Sequence, residues 1–329
     1  MKAAKTRPVI TAPGPSSIRH LPISLFGSVM SIAGLSLAWR LAAKEYGADI
    51  AVSNAIGVVA LLLFVVLTLS YLSKTFKHPE VVKYEFLHPV IGSFFGTVGI
   101  SILLLSSVLS SYSADAQLVV WSIGVVVTLA LSVVVTSRLM NGNAVPTTVV
   151  PAWLIAGVGS LDIVVTGGAL KAEWTHEVNL LSAAIGSVSA IVFFILIFSR
   201  MIHHEPLASG MRPSKMILMA PFPVGFIAYV NLVQKVDMFA ALLFYFGLFL
   251  FVVIAYRLIV KPAPFSPAWW GIGFPMAALT SASLIYSHAV GGKGLGLIAM
   301  IMLFLLTAAI VVLAIRTLHA LLTGRLLIA

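Results

Sequence analysis

Ten apolar stretches, at about 21–40, 50–73, 87–110, 116–137, 147–168, 178–199, 215–234, 238–257, 267–288 and 295–316, follow one another with only short polar breaks between them. About twenty such residues cross the hydrocarbon core of a bilayer as a helix, and a backbone at that depth must satisfy its own hydrogen bonds. The expectation is therefore an all-α integral membrane protein of ten transmembrane helices. Composition agrees: of 329 residues 60% are hydrophobic and only 9% charged, against roughly a quarter charged in a soluble domain. No break exceeds about twenty residues, which leaves no room for a soluble catalytic or ligand-binding domain.

The twenty Lys and Arg segregate. Fifteen fall in the amino-terminal tail (Lys2, Lys5, Arg7, Arg19), in the breaks after even-numbered stretches (among them Lys74, Lys77, Arg138, Arg200, Arg212, Lys215, Arg257 and Lys261) and in the carboxyl tail. The five on the other side are Arg40, Lys44, Lys171, Lys235 and Lys293, and seven of the ten acids lie with them. By the positive-inside rule both termini are cytoplasmic. The chain divides into a cytoplasmic tail 1–20, a membrane domain 21–316 and a cytoplasmic tail 317–329. The first stretch is too long for a signal peptide and no small-residue cleavage site follows it. The net charge of +10 is thus a topology signal spread over loops, with no patch for nucleic acid.

Odd and even stretches differ. The odd ones carry proline early (Pro22, Pro89, Pro146, Pro151, Pro221, Pro223, Pro267, Pro275) and glycine after it, while the even ones are plain aliphatic runs. This is a repeat of five helical hairpins about sixty residues long. Kinked, Gly-rich helices are tolerated where freed backbone faces protein or a water-filled cavity, so the odd helices are expected inside. Phe26, Gly27 and Gly34 in the first, Gly92 and Gly96 in the third, Gly157 in the fifth, and Pro221 and Gly225 in the seventh are the candidate lining or bending positions. In the ninth, Phe274 stands between Gly273 and Pro275 above Ala277, Ala278 and Ser281, at helical spacing. Such a small-residue stripe either packs against another helix or borders a space.

Chemistry is sparse. The span cores lack acids and bases, Asp162 alone coming within a turn or two of an outer end, so the usual relay of a proton-coupled pump is missing. The histidines are peripheral, His88 and His288 standing at span ends where interfacial solvation suffices. With no cysteine, no His-Glu-x-x-His, no Gly-x-Ser-x-Gly and no P-loop, the sequence offers no catalytic residue, metal site or cofactor.

Trp269-Trp270-x-x-x-Phe274-Pro275-Met276 resembles the ninth helix of the voltage-dependent anion channel superfamily. That superfamily contains the slow anion channels of plant guard cells and the bacterial tellurite-resistance/dicarboxylate transporters of the TehA type. Leu21-Pro22, Phe26-Gly27 and Leu35-Ser36-Leu37-Ala38-Trp39 are similar as well, as are His88-Pro89-Val90 with Ser93-Phe94, Pro151-Ala152, and Ala220-Pro221 with Ala228-Tyr229. An Asn-Phe pair common after the fifth-helix proline is absent here. The resemblance implies a homotrimer in which each subunit is a quasi-fivefold ring of five hairpins around a central pore, the odd helices inside. It also implies that Phe274 plugs that pore, and that the subunit works in the plasma (bacterial inner) membrane on small anions such as chloride and nitrate. Secondary export of a C4-dicarboxylate such as malate, or of tellurite-type oxyanions, is the alternative it leaves open.

Overall fold

The computed structural model describes residues 17–142 and 145–327, which are helical with no strand among them; Lys2, Lys5 and Arg7 of the amino-terminal tail lie outside the described residues. The α-helices are α1 (Phe26–Tyr46), α2 (Ile50–Lys77), α3 (Pro79–Leu87), α4 (Gly96–Leu109), α5 (Ala114–Met140), α6 (Trp153–Gly167), α7 (Glu173–His203), α8 (Pro221–Val233), α9 (Met238–Val260), α10 (Gly273–Val290) and α11 (Lys293–Leu322). Apart from the short α3, between the second and third spans, they follow the expected order. Nine segments of the described chain are long and apolar enough to cross a membrane, and α6 is a shorter apolar helix.

The odd and even spans separate as the proline and glycine pattern implies. In the most hydrophobic eighteen residues of each span, 61–72% are buried along the segments containing α1, α4, α8 and α10, against 22–33% along α2, α5, α7, α9 and α11. Nearly every residue of α6 is buried. Among the inner five, α1 packs on α4, α4 on α6, α6 on α8, α8 on α10, and α10 back on α1, while α2, α5, α7, α9 and α11 each lie against the inner helix that precedes them. The outer helices show Val, Leu, Ile and Phe to their surroundings, for example Val66, Leu69, Val126 and Phe304, the surface a bilayer solvates.

Close approach sets these contacts. A methyl group on Gly99 of α4 would stand 2.5 Å from Thr128 Oγ1 and 3.4 Å from the Thr128 backbone of α5, so the two helices meet there without room for any side chain.

Two expectations are corrected. The prolines do not bend long α-helices: each inner helix is preceded by a 3₁₀ segment, at Ile23–Leu25, Ile91–Phe95, Pro146–Thr148 (with an irregular turn before α6), Ser209–Met219 and Pro267–Ile272. Pro221 is the first residue of α8, where a missing N–H costs nothing and the fixed φ suits a helix start, and Pro275 lies in the first turn of α10. The fifth span accordingly holds only fifteen α-helical residues. Secondly, Lys74 is no loop residue. α2 continues to Lys77, and the fully buried Lys74 ammonium meets Glu85 Oε1 at 2.6 Å and the Leu21 carbonyl at 2.8 Å. Tyr71 donates to the other Glu85 oxygen at 2.7 Å. This cluster ties the start of the first span and α3 to α2.

Candidate functional site

Two cavities lie end to end among the inner helices, with Phe274 in the wall of both. The smaller, about 40 Å³, is bounded by the starting turns of all five inner segments: Gly27, Thr97, Ile155, Ile217 and Trp270 stand on it with Pro275. The larger, about 490 Å³, is bounded by their far ends: Gly34 and Leu37, Leu104 and Ser107, Asp162 and Thr166, Ile227 and Asn231, and Ala278 and Ser281. The five inner helices therefore run in one direction around a common axis. Phe274 is buried, 9% exposed, and a methyl placed on Gly34 of α1 would touch its ring at 3.7 Å.

Of the residues singled out from sequence, Gly27, Gly34, Phe274, Pro275, Ala278 and Ser281 come together along these cavities. The others stand elsewhere. Phe26 turns outward to α2, edge-on to Phe64 and Tyr71 with ring centres at 5.9 and 6.3 Å. Gly273 is pressed on Ser31 of α1. Gly92 faces the Phe86 carbonyl and Arg138, Gly96 faces Ile155 and Ala156 of α6, and Gly157 faces the Phe193 ring of α7. Pro221 and Gly225 border an apolar groove between α7, α8 and α9 on the outer side of α8.

The larger cavity holds polar groups, of which the sequence singled out Asp162 alone and passed over Asn231 and Arg40. Asp162 is 2% exposed, and its Oδ1 has no hydrogen-bond partner among the described residues. Asn231 of α8 lines the same wall and donates to the α6 carbonyls of Val164 and Val165 at 3.1 and 3.0 Å. Arg40 also lines it, donating to the carbonyls of Ser107 and Val108 and to Ser110 Oγ at the end of α4, where a cation suits the negative end of a helix. Lys44 stands at the same mouth. From sequence the span cores are expected to lack acids and bases apart from Asp162, yet Arg40 and Lys44 join it on the wall of this cavity. The available signal was that Asp162 is the one acid inside any predicted span. His88 serves the backbone: its Nδ1 accepts the N–H groups of Val90 and Ile91, each at 3.1 Å, at the entry to the third span.

The family model described as voltage-dependent anion channel matches residues 20–318. The chain is 26% identical over 311 residues to an S-type anion channel of Arabidopsis thaliana, covering 92% of this chain and 59% of that protein. It is 24% identical over 314 residues to the guard cell S-type anion channel of the same plant, covering 92% and 56%. With a tellurite resistance protein TehA homolog of Haemophilus influenzae it shares 25% identity over 297 residues, covering 89% and 88%. The chain thus spans less than two thirds of the length of these plant relatives and most of the bacterial one.

Proposed function

We propose that this chain, which belongs to the voltage-dependent anion channel family, is a gated channel that passes small monovalent anions, chloride and nitrate among them, through a pore between its five inner helices. The observation that carries this is the place of Phe274, one apolar ring between two cavities that are walled by all five of those helices. An uncharged ring in a narrow passage blocks by bulk and by excluding water. The starting ends of the inner helices surround the smaller cavity and turn the positive ends of their dipoles toward it. At the other end Arg40 lines the larger cavity together with Lys44, which is paired with Glu45 at 3.1 Å. Both features favour an anion, and neither binds it so firmly that release would be slow. In this reading the subunit is one of three in a homotrimer in the bacterial inner membrane, with 1–20 and 317–329 as cytoplasmic tails. The basic residues of the even breaks support that orientation. Reporters fused after Lys77, Arg200 and Arg316 are expected on the cytoplasmic side and one fused near Asp115 on the other; an external signal at Arg200 would discard the orientation.

Secondary export of a dicarboxylate or oxyanion has one specific support. Asp162, an acid inside the membrane domain, shares the larger cavity with Arg40 and Lys44, and membrane-depth acids commonly serve proton relays. Purified protein in planar bilayers separates the two readings. A channel gives unitary currents that reverse near the equilibrium value for chloride in asymmetric chloride. An absence of unitary events, with anion flux that follows an imposed pH gradient and is abolished by Asp162→Asn, would replace the channel by the exporter.

A further inference from the structure

Away from the inner helices, a cavity of about 370 Å³ opens between the carboxyl ends of α7 and α9 and the 3₁₀ segment Ser209–Met219. Five cations line it, Arg200, Arg212, Lys215, Arg257 and Lys261, and no Asp or Glu does among the described residues. Arg200 and Arg257 lie in the last turns of α7 and α9, so the helix dipoles account for those two. Lys261 caps the same end of α9; the dipoles do not account for Arg212 and Lys215, which come from the 3₁₀ segment Ser209–Met219. Nor do they account for the state of Arg200, which is 8% exposed while its Nε and Nη1 have no hydrogen-bond partner among the described residues. A buried guanidinium with free donors among four like charges is costly unless an anion neutralises it. Guanidinium forks suit the oxygens of a phosphate.

The walls point to the source of that anion. Above the basic floor the cavity is bounded by Phe198 of α7 and Val253 of α9, which are 42% and 40% exposed on the surface given to the bilayer. A ligand that presents a negative phosphodiester to the cations and alkyl chains to these side chains satisfies both parts, and a cavity of this size is ample for a small headgroup. We propose that this cavity is a binding site for an anionic glycerophospholipid, held by its phosphate on Arg200 and the four surrounding cations with its acyl chains along α7 and α9. The site lies on the face that carries most of the basic loop residues, where anionic lipid is attracted.

The test uses the full-length protein, delipidated in a neutral detergent and titrated with phosphatidylglycerol, phosphatidylcholine or inorganic phosphate under native mass spectrometry. Phosphatidylglycerol is expected to be retained at least tenfold more tightly than phosphatidylcholine. Arg200→Gln and the double variant Arg257→Gln/Lys261→Gln are each expected to remove most of that retention, and Lys293→Gln, on the opposite face, to leave it intact. Because Arg200→Gln alters a buried position, the double variant at exposed helix ends decides the matter if Arg200→Gln fails to fold. Equal retention of the two lipids overturns the proposal, as does undiminished phosphatidylglycerol binding in the double variant. A site that takes inorganic phosphate while retaining no lipid overturns it too.

Discussion

Phe274→Ala is expected to raise anion current by about tenfold or more over wild type, since each ~1.4 kcal/mol removed from a barrier is worth a decade in rate. The ring lines both a cavity of about 40 Å³ and one of about 490 Å³, so as a gate its removal would open one into the other instead of leaving a sealed void. An ordinary core phenylalanine behaves otherwise: truncation leaves a closed cavity and costs about 3–5 kcal/mol. The two roles thus predict opposite outcomes. As a gate, Phe274→Ala gives more current, a thermal midpoint close to wild type, and Phe274→Leu in between. A poorly expressed Phe274→Ala protein that carries no current would show that the ring only packs, and the gate would then rest on family likeness alone.

The largest loss of stability is expected at Glu85. Among the described residues its carboxylate is the acid paired with the wholly buried Lys74 ammonium, and Glu85→Ala strands that charge against the Leu21 carbonyl and the Tyr71 ring face. Breaking a buried pair by deleting one partner costs about 3–5 kcal/mol. The Glu85 side chain is 14% exposed, so water reaching the site places the value toward the low end. Replacing both members, as in Lys74→Met with Glu85→Gln, removes the stranded charge and is expected to recover much of the loss. The measurement is the thermal midpoint of the detergent-solubilised protein. A Glu85→Ala midpoint equal to wild type would mean that the pair contributes nothing to holding α3 and the first span on α2.

The inner and outer helices were legible because a bilayer allows few solutions. Proline and glycine in alternate spans, against aliphatic runs such as Val58 to Leu69 in the others, report which backbones need protein around them. The facing of individual small residues was not legible, and the entry segments explain why. Gly92 and Gly96 are four apart and share a face of an α-helix, but Ile91–Phe95 is 3₁₀. At three residues per turn those positions diverge by about a third of a turn, one toward Phe86 and the other toward α6. Within regular α-helix Phe274, Ala277, Ala278 and Ser281 line one wall of the larger cavity, while Gly273 turns to Ser31 of α1. Lys74 was opaque for another reason. Its partner Glu85 arrives only because α3 folds back, and no local spacing announces a pair eleven residues apart.

The proposed gate also has a consequence for where the membrane voltage would fall. Where water or mobile ions fill a cavity the electrical potential changes little, and where they are excluded it drops steeply; low-dielectric walls focus the field lines further. If the proposed pore runs past Phe274 from the larger cavity to the smaller, the drop across the bilayer is expected to concentrate near that side chain. On that proposal, an anion stepping past the ring would cross much of the voltage in one move, and each elementary charge moved through the full drop is worth about 2.3 kcal/mol per 100 mV.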